Sequence, residues 1–248
     1  MKIVVTGKGG AGKTTVAGVL ARSLARAGHP VVALDCDPSP TLGITLGFGP
    51  ERTEAAPAVL NSLVDAGHTH NDPEPDPEDL LARYGVAGPD GVRLLISGRI
   101  ERLDGACVCC GSHNTTRKLF SNLPHDDRIV LADLEAGLND LMWARPQPGD
   151  LVVAVAEPSA KAYEVARRAC ELAAGMGVGR RVVIANRATD SDVERLSRLT
   201  GLPAVAVPDD PALAQADRDG LAPIDVDPSS PAVRALVELA GRLDLRPS

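Results

Sequence analysis

The chain has 248 residues, 44% of them hydrophobic, with 33 acidic against 26 basic side chains and a formal charge of -7. That length buries a substantial core and suits one large α/β unit, expected to span residues 1–248. The charge opposes non-specific binding to DNA or to an anionic membrane, and the aromatic residues Phe48, Tyr84, Phe120, Trp143 and Tyr163 are too few for a base-stacking surface. No apolar run reaches membrane-spanning length and the first residues lack a signal-peptide pattern, so a cytoplasmic protein with no membrane and no nucleic-acid partner is expected.

The first element is the apolar run "MKIVV", read as a buried strand, and "TTVAGVLARSLARAG" repeats its apolar positions with helical spacing. Between them, Gly7, Gly12, Lys13 and Thr14 fit G-x-x-x-x-G-K-[ST], the phosphate loop. Strand, glycine loop and helix is the context that the motif requires. Its glycines let backbone N–H groups converge on phosphate oxygens at a helix N-terminus, where unpaired donors and the dipole favour an anion. Gly9, Gly10, Ala11, Gly12, Lys13, Thr14 and Thr15 are therefore the expected nucleotide contacts, with Lys13 at the β- and γ-phosphates and Thr14 a ligand of Mg2+.

Further apolar runs follow at "VVALD", "GVRLLIS", "DRIVLAD", "DLVVAVA", "RRVVIAN" and "PAVAVP", with helical stretches between most of them. Near-continuous apolar strands alternating with helices predict a mostly parallel sheet flanked by helices on both faces, the P-loop NTPase form of an α/β fold. Its ligand should lie at the strands' carboxyl ends. Residues 68–79, "HTHNDPEPDPED", are acidic and proline-rich and read as a flexible surface loop, whose His68 and His70 are solvated rather than metal-bound.

The segment "KGGAGKTT" holds a second lysine, Lys8, directly after the first glycine, and so resembles the deviant P-loop of the septum-positioning and partition ATPases, the nitrogenase iron protein and metal-cofactor maturation ATPases. The resemblance implies an ATPase whose Lys8 contacts nucleotide in the partner subunit of a homodimer. It also makes Asp37 of "LDCDP" the group that orients the attacking water, with Asp35 supporting Mg2+ hydration. Asp133 and Gly137 of "ADLEAG" match the D-x-x-x-G switch that senses the γ-phosphate. Asn186 of "VIANR" would hydrogen-bond adenine, and "VPDDPALAQADRDG", with Pro208 and Asp209, would wall the adenine pocket. Any one of these aspartates could instead cap a helix.

Three of the five cysteines crowd into "GACVCCGSH", as Cys107, Cys109 and Cys110, with His113 close behind. In a chain of this kind the cluster favours metal or redox chemistry over a disulfide. A C-x-C pair supplies too few thiolates for a four-ligand site, so either two-fold symmetry doubles it or Cys110 or His113 completes it within one chain. Residues 97–123 and "LEAGLNDL" resemble the nickel-insertion accessory ATPases of carbon monoxide dehydrogenase, in which a C-x-C precedes a helix. By that resemblance Cys107 and Cys109 bind the metal, nickel or zinc, and the partner is a client metalloenzyme resembling carbon monoxide dehydrogenase. The cysteine at 110, where that family is expected to carry proline, leaves the metal and its coordination open. Two other classes remain: a positioning switch with no metal role, and a [4Fe-4S] electron donor resembling the nitrogenase iron protein. The second is opposed by the lack of a cysteine beside Asp133.

Overall fold

The computed structural model describes residues 1–69, 71–100, 108–123 and 127–243, with the backbone alone at 108–113 and 116. Its elements run β1 (Lys2–Gly7), α1 (Lys13–Arg26), β2 (Val31–Asp35), α2 (Leu42–Leu46), α3 (Gly49–Glu54), α4 (Val59–Asp65), α5 (Pro77–Tyr84), β3 (Val86–Ala87) and β4 (Arg93–Ile96). The second part adds α6 (Val108–Asn122), β5 (Ile129–Asp133), α7 (Asn139–Ala144), β6 (Leu151–Ala156), α8 (Ala160–Gly175), β7 (Arg180–Asn186) and α9 (Asp190–Thr200). It closes with β8 (Ala204–Val207), α10 (Pro211–Asp219), α11 (Pro223–Val226) and α12 (Pro231–Arg242).

Among the described residues the strands form one sheet in the order β3-β4-β2-β5-β1-β6-β7-β8, parallel except for the antiparallel edge pair β3 and β4. Side chains alternate between the faces of a strand, so an uninterrupted apolar run furnishes two cores at once. Ile3, Val5, Ala33, Leu131 and Val153 face α1, α2, α11 and α12. Val4, Val32, Leu34, Val130, Ala132 and Val152 face α4 to α9. Burying both faces explains why these strands read as continuous rather than alternating.

Strand β1 lies between β5 and β6, the place where the chain changes direction across the sheet. A crevice forms at the carboxyl ends of strands at such a point. The phosphate loop follows β1, Asp35 ends β2, Asp133 ends β5 and Asn186 ends β7, so one edge collects all four.

Two expectations need adjustment. The acidic segment 68–79 is not loop throughout, because α5 starts at Pro77 inside it, with the Asp76 carboxylate accepting from the Glu78 N–H at 2.7 Å. An aspartate cap, a proline at the first helical position and acidic residues in the first turn are a helix-start signal, which here coincides with a loop-like composition. His68 Nδ1 stands 4.0 Å from Asp72 Oδ2, while His70 lies outside the described residues. The helix after the cysteine cluster begins at Val108, so Cys109, Cys110 and His113 belong to α6 rather than preceding it. Among the described residues no helix is long and apolar enough to cross a membrane.

Candidate functional site

The phosphate loop is shaped by contacts that only glycine permits. Gly7 has φ 153 and pairs with Val155 of β6, and a Cβ there would collide with the Val155 carbonyl oxygen. Gly12, with φ 89, caps α1, and a Cβ at this position would strike the Asn186 amide. No side chain caps α1 and its first turn carries no acid, so its N–H groups and dipole stay available to an anion. Lys13 is buried at the start of that helix, while Gly9 and Gly10 are exposed at the loop's crest.

Asp35 and Asp133 sit opposite each other in the β2–β5 register, both at the sheet's carboxyl edge. Asp35 accepts from the N–H groups of Leu42 at 2.9 Å and Asp37 at 3.2 Å. Burial, reinforced by the neighbouring Asp133 charge, pushes its carboxyl up to about 8. Burial also raises Asp133 to about 6, opposed by a hydrogen bond from the Thr14 hydroxyl and by the Lys13 charge, and aided by Asp37. Desolvation thus outweighs the two backbone N–H donors at Asp35, and the Thr14 hydroxyl and Lys13 charge at Asp133. The Asp133 Oδ1 atom is buried and has no hydrogen-bond partner.

That orphaned oxygen, with the Thr14 hydroxyl and the Asp35 carboxylate close by, is an all-oxygen donor set of the kind Mg2+ prefers. Among the described residues no three His, Cys, Asp or Glu side chains form a metal cage by themselves. Asp37 lies just outside the buried pair, half-buried, with its Oδ1 fixed by the Ser39 N–H at 2.8 Å.

The expected switch residues are docked onto the end of β1. The Leu134 N–H donates to the Val5 carbonyl at 3.1 Å and the Gly137 N–H to the Gly7 carbonyl at 3.1 Å. The Thr6 hydroxyl donates back to the Gly137 carbonyl at 3.3 Å. Asp140, 3% exposed in the first turn of α7, holds the segment from the other side by accepting from the Glu135 N–H. Sequence reasoning missed Asp140; an acid at a short helix's start was its one local signal. Helix α7 in turn packs against α6, the helix that begins in the cysteine cluster.

Asn186 has a different contact from the one expected of it. Its Nδ2 donates to the Ala11 carbonyl at 2.8 Å, so the amide braces the phosphate loop from beneath. Pro208 and Asp209 follow β8 at the same edge, but Asp210 does the structural work there, accepting from Ala212 N–H at 3.0 Å and Ala232 N–H at 3.1 Å. Lys8 lies within the same loop, its carbonyl accepting from the Ala11 N–H at 3.2 Å. Its Nζ stands 3.2 Å from Glu157 Oε1, a residue no motif flagged.

Cys107 lies outside the described residues, and Cys109 is placed only as a backbone position in the first turn of α6. The two cysteines outside the cluster, Cys36 and Cys170, are buried. Burial pushes the Cys170 thiol up to about 11, which leaves it protonated and a poor metal ligand at neutral pH.

Residues 2–224 match the model of the CobQ/CobB/MinD/ParA nucleotide binding domain. The chain is 32% identical over 244 residues to the carbon monoxide dehydrogenase accessory protein CooC of Rhodospirillum rubrum, covering 92% of this chain and 91% of that one. It is also 32% identical over 209 residues to an ATP-binding protein of Methanocaldococcus jannaschii, covering 79% and 78% of the two chains. Among solved structures it resembles the Pyrococcus furiosus cell division ATPase MinD with a TM-score of 0.74 at 22% identity, over 97% of this chain and 96% of that one.

Proposed function

The chain belongs to the CobQ/CobB/MinD/ParA nucleotide-binding family and is an ATPase, and on that premise we propose that it dimerises around ATP and carries a metal, nickel in the first instance, to a client metalloenzyme resembling carbon monoxide dehydrogenase. Nucleotide phosphates rest on the amides of Gly9 to Thr15, with the Lys13 ammonium at the β- and γ-phosphates. Thr14, with Asp133 and Asp35 behind it, would hold Mg2+, which would neutralise charge at those phosphates. Asp37 orients the attacking water, for which its fixed carboxylate and its position beside the buried pair are suited. Asn186, Pro208 and Asp209 form the adenine end of the pocket. Lys8 completes the partner's site across the interface, so that hydrolysis waits for closure of the dimer.

The observation that carries the metal half of this reading is the packing of α6 on α7. Gly137 is tied by its N–H to the phosphate loop at Gly7, and α7 begins two residues later. A shift of Gly137 toward a γ-phosphate is thereby passed to α7, and from α7 to the helix whose start holds Cys109. Similarity to the CooC accessory protein over 92% of this chain supports a metal role of this kind. Cys107 and Cys109 of two subunits then make one four-sulfur site on the two-fold axis.

Equilibrium dialysis of anaerobically purified protein against Ni2+ and Zn2+ tests this. One metal per dimer in the wild type, lost in Cys107→Ser with Cys109→Ser, is expected. A chain that binds neither metal returns the protein to a positioning switch.

A further inference from the structure

Lys8 is held by its own subunit. Its ammonium meets Glu157 Oε1 at 3.2 Å and the Gly9 carbonyl at 3.5 Å. Among the described residues Lys8 and Glu157 are each other's only ionic partners. The backbones on either side are fixed. Gly7 is locked in register with Val155 and has no room for a side chain. Glu157 directly follows β6, and its carbonyl accepts from the Ser159 N–H at 2.7 Å in the turn that caps α8. Only the two side chains are free to part.

We propose that Glu157 is a positioning residue for Lys8, a latch that keeps the lysine on its own subunit until a partner's nucleotide arrives. The proposal rests on the reading that Lys8 acts across a dimer interface. The side chains are 35% and 28% exposed, and a pair so open to water contributes little stability. A triphosphate in the facing subunit carries several negative charges against the single one of Glu157, so transfer of the ammonium is favourable only when that subunit is loaded. Two-fold symmetry requires both latches to open together. The pair therefore opposes association of empty chains without touching the phosphate site.

Glu157→Gln removes the charge and keeps the shape. Sedimentation of full-length protein with a slowly hydrolysed ATP analogue should show the dimer dissociation constant falling about two- to twenty-five-fold, because each of two opened pairs contributes up to about fivefold. Glu157→Asp should stay near the wild type. Lys8→Ala should lose ATP-dependent assembly, and Lys8→Ala with Glu157→Gln should stay as monomeric as Lys8→Ala alone, since the latch acts only through the lysine. Assembly of Glu157→Gln equal to or weaker than the wild type overturns the latch while leaving the interface role of Lys8 intact. A gain in assembly that persists without Lys8 also overturns it, and assigns the effect to relief of charge between the subunits. Wild-type assembly by Lys8→Ala removes the interface role itself and the latch with it.

Discussion

Replacing Asp133 by asparagine should stabilise the ligand-free protein at neutral pH, although it damages the site. Asp133 is 2% exposed, and burial has raised its carboxyl from 3.8 to about 6. A folded-state value above the unfolded one means that the native chain binds the proton more tightly. Below pH 3.8 both states are protonated and the aspartate costs nothing extra; the penalty grows from 3.8 to about 6 and is constant above that. Its full size is about 3 kcal/mol, from roughly 1.4 kcal/mol for each tenfold change in proton affinity. Asparagine keeps an oxygen to accept from Thr14 and removes the charge that helps raise Asp35 to about 8. Thermal melts in EDTA should therefore place Asp133→Asn about 6–12 °C above the wild type at pH 8, taking about 2–4 °C per kcal/mol for a chain of this size. The difference should nearly vanish at pH 4. Added Mg2+ and ATP should stabilise the wild type more than the variant. A variant less stable than the wild type at pH 8, or a gap independent of pH, would refute the argument that desolvation dominates this carboxylate.

Asp37→Ala should bind ATP with near wild-type affinity and lose hydrolysis by at least about a hundredfold, measured by calorimetry and phosphate release, because positioning the nucleophile acts on turnover rather than on binding. Normal turnover removes Asp37 from its role. Asn186→Ala removes the bond to Ala11 and leaves a buried carbonyl unpartnered, which should destabilise the chain by about 1–3 kcal/mol in urea titrations and weaken ADP and ATP equally. Loss of nucleotide affinity with stability unchanged would show that the Ala11 bond contributes nothing and leave Asn186 a role at the base alone.

The parts of the site legible in the sequence are those written in local order. The phosphate loop sits between a strand and a helix, and Asp35, Asp133 and Asn186 each end an apolar run, so their common edge follows from parallel topology alone. What was hidden depends on pairs far apart in the chain. Lys8 and Glu157 are separated by 149 positions and meet only because β6 lies beside β1. Asn186 reaches Ala11 across 175 positions, a contact that a strand-end asparagine gives no reason to expect. Asp210 joins α10 to α12, whereas the family resemblance points to its neighbour Asp209. The edge strand β3 has two residues, too short for periodicity, and the start of α5 was concealed by an acidic, proline-rich composition that suits loops and helix caps alike.

The proposed function couples the nucleotide and metal sites through the switch segment and the α6–α7 contact. Metal affinity measured by competition with a chromophoric chelator, with and without a slowly hydrolysed ATP analogue, tests it most directly. Metal affinity should change by at least about fivefold on adding the analogue, matched by an equal change in analogue affinity on adding metal, because linkage is reciprocal. Both changes should disappear in Cys107→Ser with Cys109→Ser. Tight metal binding by the cysteines that is indifferent to the analogue would show that the two sites are not coupled.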